Sequence, residues 1–215
     1  SSPIPVRQAA LGRRLEGLHV LRNGSGLCVS HPALVERGHR GDTPPVEALS
    51  PELVDEAIAT EGAALTRSFW GSYLFLAARP RGWLAVRDPS GAVPAYHFAQ
   101  GSGTVLCSDA EAAHAHEPLK RGPDPVFLRQ WLTYPYLRTA ATAPADVREL
   151  LPGEALIGAD DTVRTASAWS PWAFAAADRQ LQSFDEAAGA LRAELLRTVA
   201  RMVPPGLCLL LQLSG

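Results

Sequence analysis

Between Phe69 and Ser108 four short apolar runs alternate with turn signals. Tyr73–Ala78 precedes Arg-Pro-Arg-Gly, Trp83–Arg87 precedes Asp-Pro-Ser-Gly, a third run begins at Pro94–Ala99 before Gln-Gly-Ser-Gly, and Thr104–Ser108 is the fourth. None of these runs has the length an amphipathic helix needs. Proline presets φ in such turns and glycine supplies positive φ. The stretch predicts an antiparallel meander of four strands.

The flanks add to this centre. Leu18–Leu21 and Leu27–Ser30 border Asn-Gly-Ser-Gly, which predicts a β-hairpin. Residues 7–16 have a helical composition, with Gly12 as the weak point. Ser50-Pro51 predicts a helix start, Ser as N-cap and Pro in the first turn, with Leu53, Ala57 and Ile58 on one face. Asp124-Pro125 predicts a short helix ending near Thr133, and Leu-Pro-Gly-Glu-Ala-Leu-Ile-Gly opens a late hairpin turned by Ala159-Asp160-Asp161. At Ser183 the character changes. Ser183 and Glu186 form a capping box, and Phe184, Ala188, Leu191, Leu195 and Val199 form an apolar stripe. Val-Pro-Pro-Gly breaks that helix, and the wholly apolar strand before Ser214-Gly215 comes next. Helix, short loop and apolar strand is how a parallel α/β sheet begins. The expected organisation is a β-rich α+β domain over residues 1–165, a linker over 166–182, and the truncated start of an α/β domain over 183–215.

Composition excludes several classes. The chain has 215 residues, 47% of them hydrophobic, and a formal charge of −2. That charge gives no electrostatic case for nucleic acid or an anionic membrane as partner. No apolar run approaches the roughly 20 residues of a membrane helix, and Ser-Ser-Pro-Ile-Pro-Val-Arg at the start lacks the apolar core of a signal peptide. Cys28, Cys107 and Cys208 are too few and too dispersed for a disulfide framework or a zinc site. They read as small core residues, and the expected compartment is the cytoplasm. With no initiator Met, and with Ser-Gly as its last letters, the chain is expected to be cut at both ends.

The chain lacks G-x-S-x-G, a Walker A loop and H-E-x-x-H. Ser25 and Ser102 fall in Gly-Ser-Gly turns and read as turn residues. His114, His116 and Glu117 have strand-face spacing but no third ligand nearby, so a solvated loop is expected and no metal site. Asp109 and Glu111 read as acids favoured at a helix start. Arg87-Asp88-Pro89-Ser90-Gly91 is sound turn chemistry with no catalytic need. Leu213-Ser214-Gly215, at a strand end, is suited to aim backbone N–H groups and a hydroxyl at phosphate oxygens.

Taken in order, these segments resemble the asparagine-synthetase-like ligases. The family's glutaminase-type domain has a strand like Gly71-Ser72-Tyr73-Leu74-Phe75-Leu76, then a stretch like Val86–Tyr96, then Ser108-Asp109-Ala110-Glu111-Ala112 and Leu151-Pro152-Gly153-Glu154. Its synthetase domain opens on a helix, Val-Pro, and an apolar strand ending Leu-Ser-Gly, as in residues 203–215. The resemblance covers about residues 60–215 and implies a fold: an αββα sandwich with antiparallel sheets, followed by the first helix and strand of an ATP-pyrophosphatase domain. It implies ATP and Mg²⁺ as cofactors and places Leu213, Ser214 and Gly215 in the loop that binds ATP's pyrophosphate.

The departures refine the expectation. A glutaminase of this family uses an N-terminal Cys as nucleophile and its own amine as base. Here Ser1 comes first, and Cys28 lies in the predicted hairpin. His39–Asp42 lies too close to Gly71 for the family's glutamine-binding pattern, and Arg121–Asp124 matches it only in letters. The chain is therefore most similar to a lasso peptide macrolactam cyclase. That resemblance implies a ligase that adenylates a carboxylate of a precursor peptide and closes a macrolactam, with a leader peptidase and a leader-binding protein as possible partners. Its acid–base residues are expected beyond Gly215. A glutamine-hydrolysing asparagine synthetase, a β-lactam synthetase and a non-catalytic peptide-binding module are the alternatives.

Overall fold

A computed structural model describes residues 19–22, 26–30, 35–36, 46, 48, 50–79, 82–109, 122–159, 162–181 and 183–202. The chain divides into two compact units, residues 1–37 with 45–169, and residues 38–44 with 170–215.

The first unit holds β1 (His19–Arg22), β2 (Gly26–Ser30), β3 (Val35–Glu36), α1 (Pro51–Ala59), α2 (Ala63–Ser68), β4 (Phe69–Trp70), β5 (Tyr73–Arg79), β6 (Gly82–Arg87), β7 (Tyr96–Gln100), β8 (Gly103–Cys107), α3 (Pro125–Thr133), β9 (Arg148–Glu149), β10 (Glu154–Ala159) and β11 (Thr162–Ser167). A six-stranded sheet has the order β1-β2-β5-β6-β10-β11, a three-stranded sheet the order β8-β7-β9, and β3 pairs with β4. Every pairing between these strands is antiparallel. The result is a mixed α+β domain with antiparallel sheets.

The central strands are apolar on both faces because both are covered. Tyr73, Phe75 and Ala77 of β5, Leu84 and Val86 of β6, and Ala155 and Ile157 of β10 pack with Val54 and Ala57 of α1 and Leu65 of α2. Their alternates, Leu74, Ala85 and Leu156, pack with Val93, Ala95 and Leu150, and Leu106 of β8 joins them. Successive strand side chains point to opposite faces, so one register fixes both cores. Phe98 and Val147 form a third cluster with Tyr96, Val105 and Cys107.

The hairpin expected over Leu18–Ser30 is β1 and β2, with Leu21 opposite Cys28. Ser50 caps α1 as expected, its side chain accepting from the Leu53 N–H. The face expected for α1 is the one turned to the core: Ala57 is buried, Leu53 and Ile58 pack against it partly buried, and Val54 joins them, fully buried. The single four-strand meander is corrected. Its first two strands belong to the large sheet and its last two to the small one. Pro89 and Pro94 have no N–H to continue a ladder, and around Pro94 the chain turns inward, burying Val93 and Ala95. The helix proposed over residues 7–16 lies outside the described residues.

In the second unit, 3-10 turns at Pro171–Ala173 and Ala177–Arg179 precede α4 (Phe184–Met202). The Arg179 guanidinium lies 5.7 Å from the Phe174 ring centroid. The Ser183 hydroxyl accepts from the Glu186 N–H at 3.1 Å, the expected cap. The apolar stripe of α4 is not buried by the described residues: Phe184, Leu191, Leu195 and Val199 are all exposed. The apolar segment expected as a strand after α4 lies outside the described residues. Among those described, no helix is long and apolar enough to cross a membrane.

Candidate functional site

Among the described residues of the first unit, the end of β6 carries the most elaborate polar arrangement. Arg87 is fully buried. Its Nε donates to the Val93 carbonyl at 2.8 Å, Nη1 to Glu149 Oε1 at 2.7 Å and the Leu150 carbonyl at 2.5 Å, and Nη2 to the Gly91 carbonyl at 2.6 Å. Four of its five N–H donors are used. Asp88, also buried, accepts from the Tyr73 N–H through Oδ2 at 3.0 Å, and from Ser90 and Gly91 N–H groups through Oδ1 at 2.7 and 3.2 Å. Charge-assisted bonds of this kind fix the turn far more firmly than the turn residues alone.

Residues 151–154 close the same arrangement from the far side. The Gly153 N–H is shared by the carbonyls of Arg87 at 3.2 Å and Asp88 at 3.1 Å. Gly91, at φ 64, faces Pro152 so closely that a Cβ would lie 2.5 Å from its Cγ. Gly153, at φ 77, would place a Cβ 2.7 Å from the Trp169 carbonyl oxygen. The two motifs around Asp88 and Pro152 are thus one physical unit.

Glu149 connects this unit to the surface. Its carboxylate accepts from buried Arg87, and also from Arg138, whose Nη2 lies 2.8 Å from Oε1 and whose Nε lies 3.3 Å from Oε2. Arg138 is half exposed. Tyr96 stands opposite Glu149 in the β7–β9 register. Burial, and then the Glu149 charge, push its phenol up, against Arg138 and Arg87. Burial, with the charge of Arg148, pulls His97 down. Burial pushes the Cys107 thiol up. All three groups are neutral at physiological pH, and a neutral thiol is a poor nucleophile. The arrangement holds backbone and charge in place; its cations and carboxylates are committed to one another rather than to a ligand. At its outer edge the hydroxyls of Ser72 and Ser90 meet at 2.9 Å.

The expected nucleotide residues Leu213, Ser214 and Gly215 lie outside the described residues, as do Ser1, Ser25, His39–Asp42, Glu111, His114, His116, Glu117, Arg121 and Cys208. Asp109 is exposed after β8, and Ser102 sits in the β7–β8 turn. Asp124 caps α3, accepting from the N–H groups of Val126 and Phe127. Among the described residues no group of three or more His, Cys, Asp or Glu could hold a metal. Sequence reasoning found Arg87 and Asp88 as letters in a turn and missed Glu149 and Arg138. The burial of the first two comes from partners remote in sequence, Tyr73 for Asp88 and Glu149 and Leu150 for Arg87, which the turn letters do not announce.

The sequence matches a family model described as a glutamine amidotransferase domain over residues 49–169. Among curated proteins none matches. Among solved structures, glutamine phosphoribosylpyrophosphate amidotransferase from B. subtilis, complexed with ADP and GMP, is 14% identical over 69% of this chain and 30% of that one, with a TM-score of 0.37. A structure described as the allosteric regulatory enzyme of purine biosynthesis is 16% identical over 70% of this chain and 30% of its own, with a TM-score of 0.38. This chain spans less than a third of either protein's length.

Proposed function

Because the chain belongs to the glutamine amidotransferase domain family, we propose that it is the amidotransferase-type part of an ATP-dependent amide ligase related to asparagine synthetase. In this reading the domain is structural, and the chemistry belongs to the unit that begins after Trp169. The substrate is a precursor peptide, and the product is a macrolactam closed between a carboxylate and an amine of that peptide.

The observation that carries the reading is the order of parts. The family match ends at residue 169, and a capped amphipathic helix comes next at Phe184–Met202 with an exposed apolar stripe. Most of a helix's stability in a protein comes from packing its amphipathic face, so that stripe calls for an apolar layer to cover it. The apolar run ending at Ser214-Gly215 supplies the sequence of a strand for such a layer.

Bound ATP, with Mg²⁺, would supply carboxylate activation by adenylation. The backbone N–H groups at Ser214 and Gly215 would receive the pyrophosphate, and a peptide folded beforehand would bring its amine to the activated carbon. A glutaminase reading rests on the same family and needs a Cys nucleophile.

The test uses the full-length protein. Pyrophosphate exchange into ATP that depends on a carboxylate-bearing peptide, together with loss of one water from that peptide by mass spectrometry, is the expected result. Ser214→Ala should weaken the exchange. Ammonia release from glutamine, with no exchange of pyrophosphate, would overturn the reading in favour of a glutaminase.

A further inference from the structure

We propose that β11 is a docking edge for the β11 of a second copy of this chain, the two strands pairing antiparallel about a two-fold axis at Thr165. Among the described residues β11 pairs with β10 alone and ends the six-stranded sheet. A strand in that place offers a row of backbone N–H and C=O groups to any extended chain, and proteins blunt such edges with proline, bulges, charge or shortness. The six residues of β11 run in unbroken register with β10, with no proline and no bulge. Thr162, Val163 and Thr165 favour the extended form. The one charge on the strand, Arg164, is answered by Glu61 from the turn between α1 and α2. Every residue of β11 except partly buried Ala166 is exposed.

The backbone phase decides which residues face outward. Gly158, opposite Val163, turns its carbonyl toward β6, where a Cβ on Gly82 would collide with that oxygen. One step beyond the other end of β11, the Ala168 N–H donates to the Gly153 carbonyl at 2.9 Å. Backbone groups alternate along an antiparallel strand. Thr162, Arg164 and Ala166 therefore face β10, as Ala168 does, and Val163, Thr165 and Ser167 hold their N–H and C=O groups outward.

Those three residues define the occupant. Spaced two apart, they match an identical set run backwards: Thr165 meets its own counterpart, Val163 meets Ser167, and Arg164 stands opposite Ala166, a long side chain beside a small one. A two-fold axis at Arg164 would also keep the backbone phase, but it sets two like charges directly opposite. Like charges there are unfavourable, whereas a Thr–Thr pair is favourable. The turn acids Asp160 and Asp161 precede the strand, so antiparallel pairing carries the acids of the two copies to opposite ends. Main-chain bonds supply the affinity in strand addition of this kind. One strand pair is smaller than a standard interface, so the dimer is weak and depends on concentration.

The full-length protein is followed by sedimentation equilibrium from about 1 to about 300 µM. A reversible monomer–dimer equilibrium is expected. Thr165→Pro removes an outward N–H that β10 does not use, and should weaken the dimer about tenfold or more. Thr165→Lys and Thr165→Glu should each weaken it about fivefold, because like charges then face each other across the axis. Mixed together, these two variants should associate again as a heterodimer. Thr165 is exposed, so the variants fold, and circular dichroism melting checks that they do. A protein that stays monomeric throughout overturns the proposal, as does a dimer indifferent to all three substitutions, which would place its interface elsewhere. Failure of the Lys and Glu variants to pair would overturn the register and the proposal with it. Slow amide exchange at Val163, Thr165 and Ser167 in the dilute monomer would show the edge covered by its own chain, with the same consequence. None of these measurements needs turnover, so the ligase reading stands or falls separately.

Discussion

Arg87 has no contact with solvent, and one carboxylate, Glu149, answers its charge. Removing one member of a buried ion pair strands the other, which costs far more than the pair contributes. Glu149→Gln keeps the shape and deletes the charge. We expect it to lower stability by about 3–5 kcal/mol in a denaturant titration. A loss under about 1 kcal/mol would show that the carbonyls of Gly91, Val93 and Leu150 alone satisfy the guanidinium. His97 allows a test by pH. Burial and Arg148 hold its folded pKa below the ordinary value, so below about pH 6.5 the unfolded chain takes up a proton that the folded chain resists. The stability this group contributes is whole above that pH and falls as pH drops through the folded pKa. His97→Gln should therefore flatten the decline of Tm on acidification from about pH 7 to about pH 5; an unchanged decline would assign it to other groups.

Among the elements, those specified by local chemistry were legible in the sequence. Ser50 and Asp124 announced α1 and α3, and Ser183 announced α4. Turn residues announced the hairpins of β5 with β6 and of β10 with β11. The features that stayed hidden were set by long-range pairing. The insertion of β10 beside β6, and the transfer of the chain from one sheet to the other between Asp88 and Tyr96, leave no periodic trace. Glu149 was illegible for the same reason: its partner Arg87 is remote in sequence, and only the folded register brings them together. The cap of α3 gives a direct test at this scale. Asp124→Ala removes the acceptor for Val126 and Phe127 N–H groups and should cost about 1 kcal/mol. Amide exchange should quicken at those two residues while β10 keeps its protection. Equal acceleration in β10 would mean that α3 and the sheet open together.

At the scale of the whole molecule, Trp169 is where the first unit ends. Its N–H, and that of Ala168, donate to the Gly153 carbonyl, both at 2.9 Å, so the last residues of this unit are tied to the turn that also receives Arg87 and Asp88. The Thr66 hydroxyl donates to the Ala168 carbonyl at 3.1 Å, joining α2 to the same strand end. Among the described residues, the clusters that cover both faces of the large sheet draw their buried members from within residues 54–168. A unit whose core and closing hydrogen bonds are its own can fold without the rest of its chain. A chain ended after Trp169 is thus expected to unfold in one cooperative transition, with circular dichroism and tryptophan fluorescence reporting the same midpoint. The Ala168 and Trp169 amides should stay protected in it. A broad transition with separate midpoints would mean that residues 170–215 complete this unit, and the separation of framework from chemistry on which the ligase reading depends would fail with it.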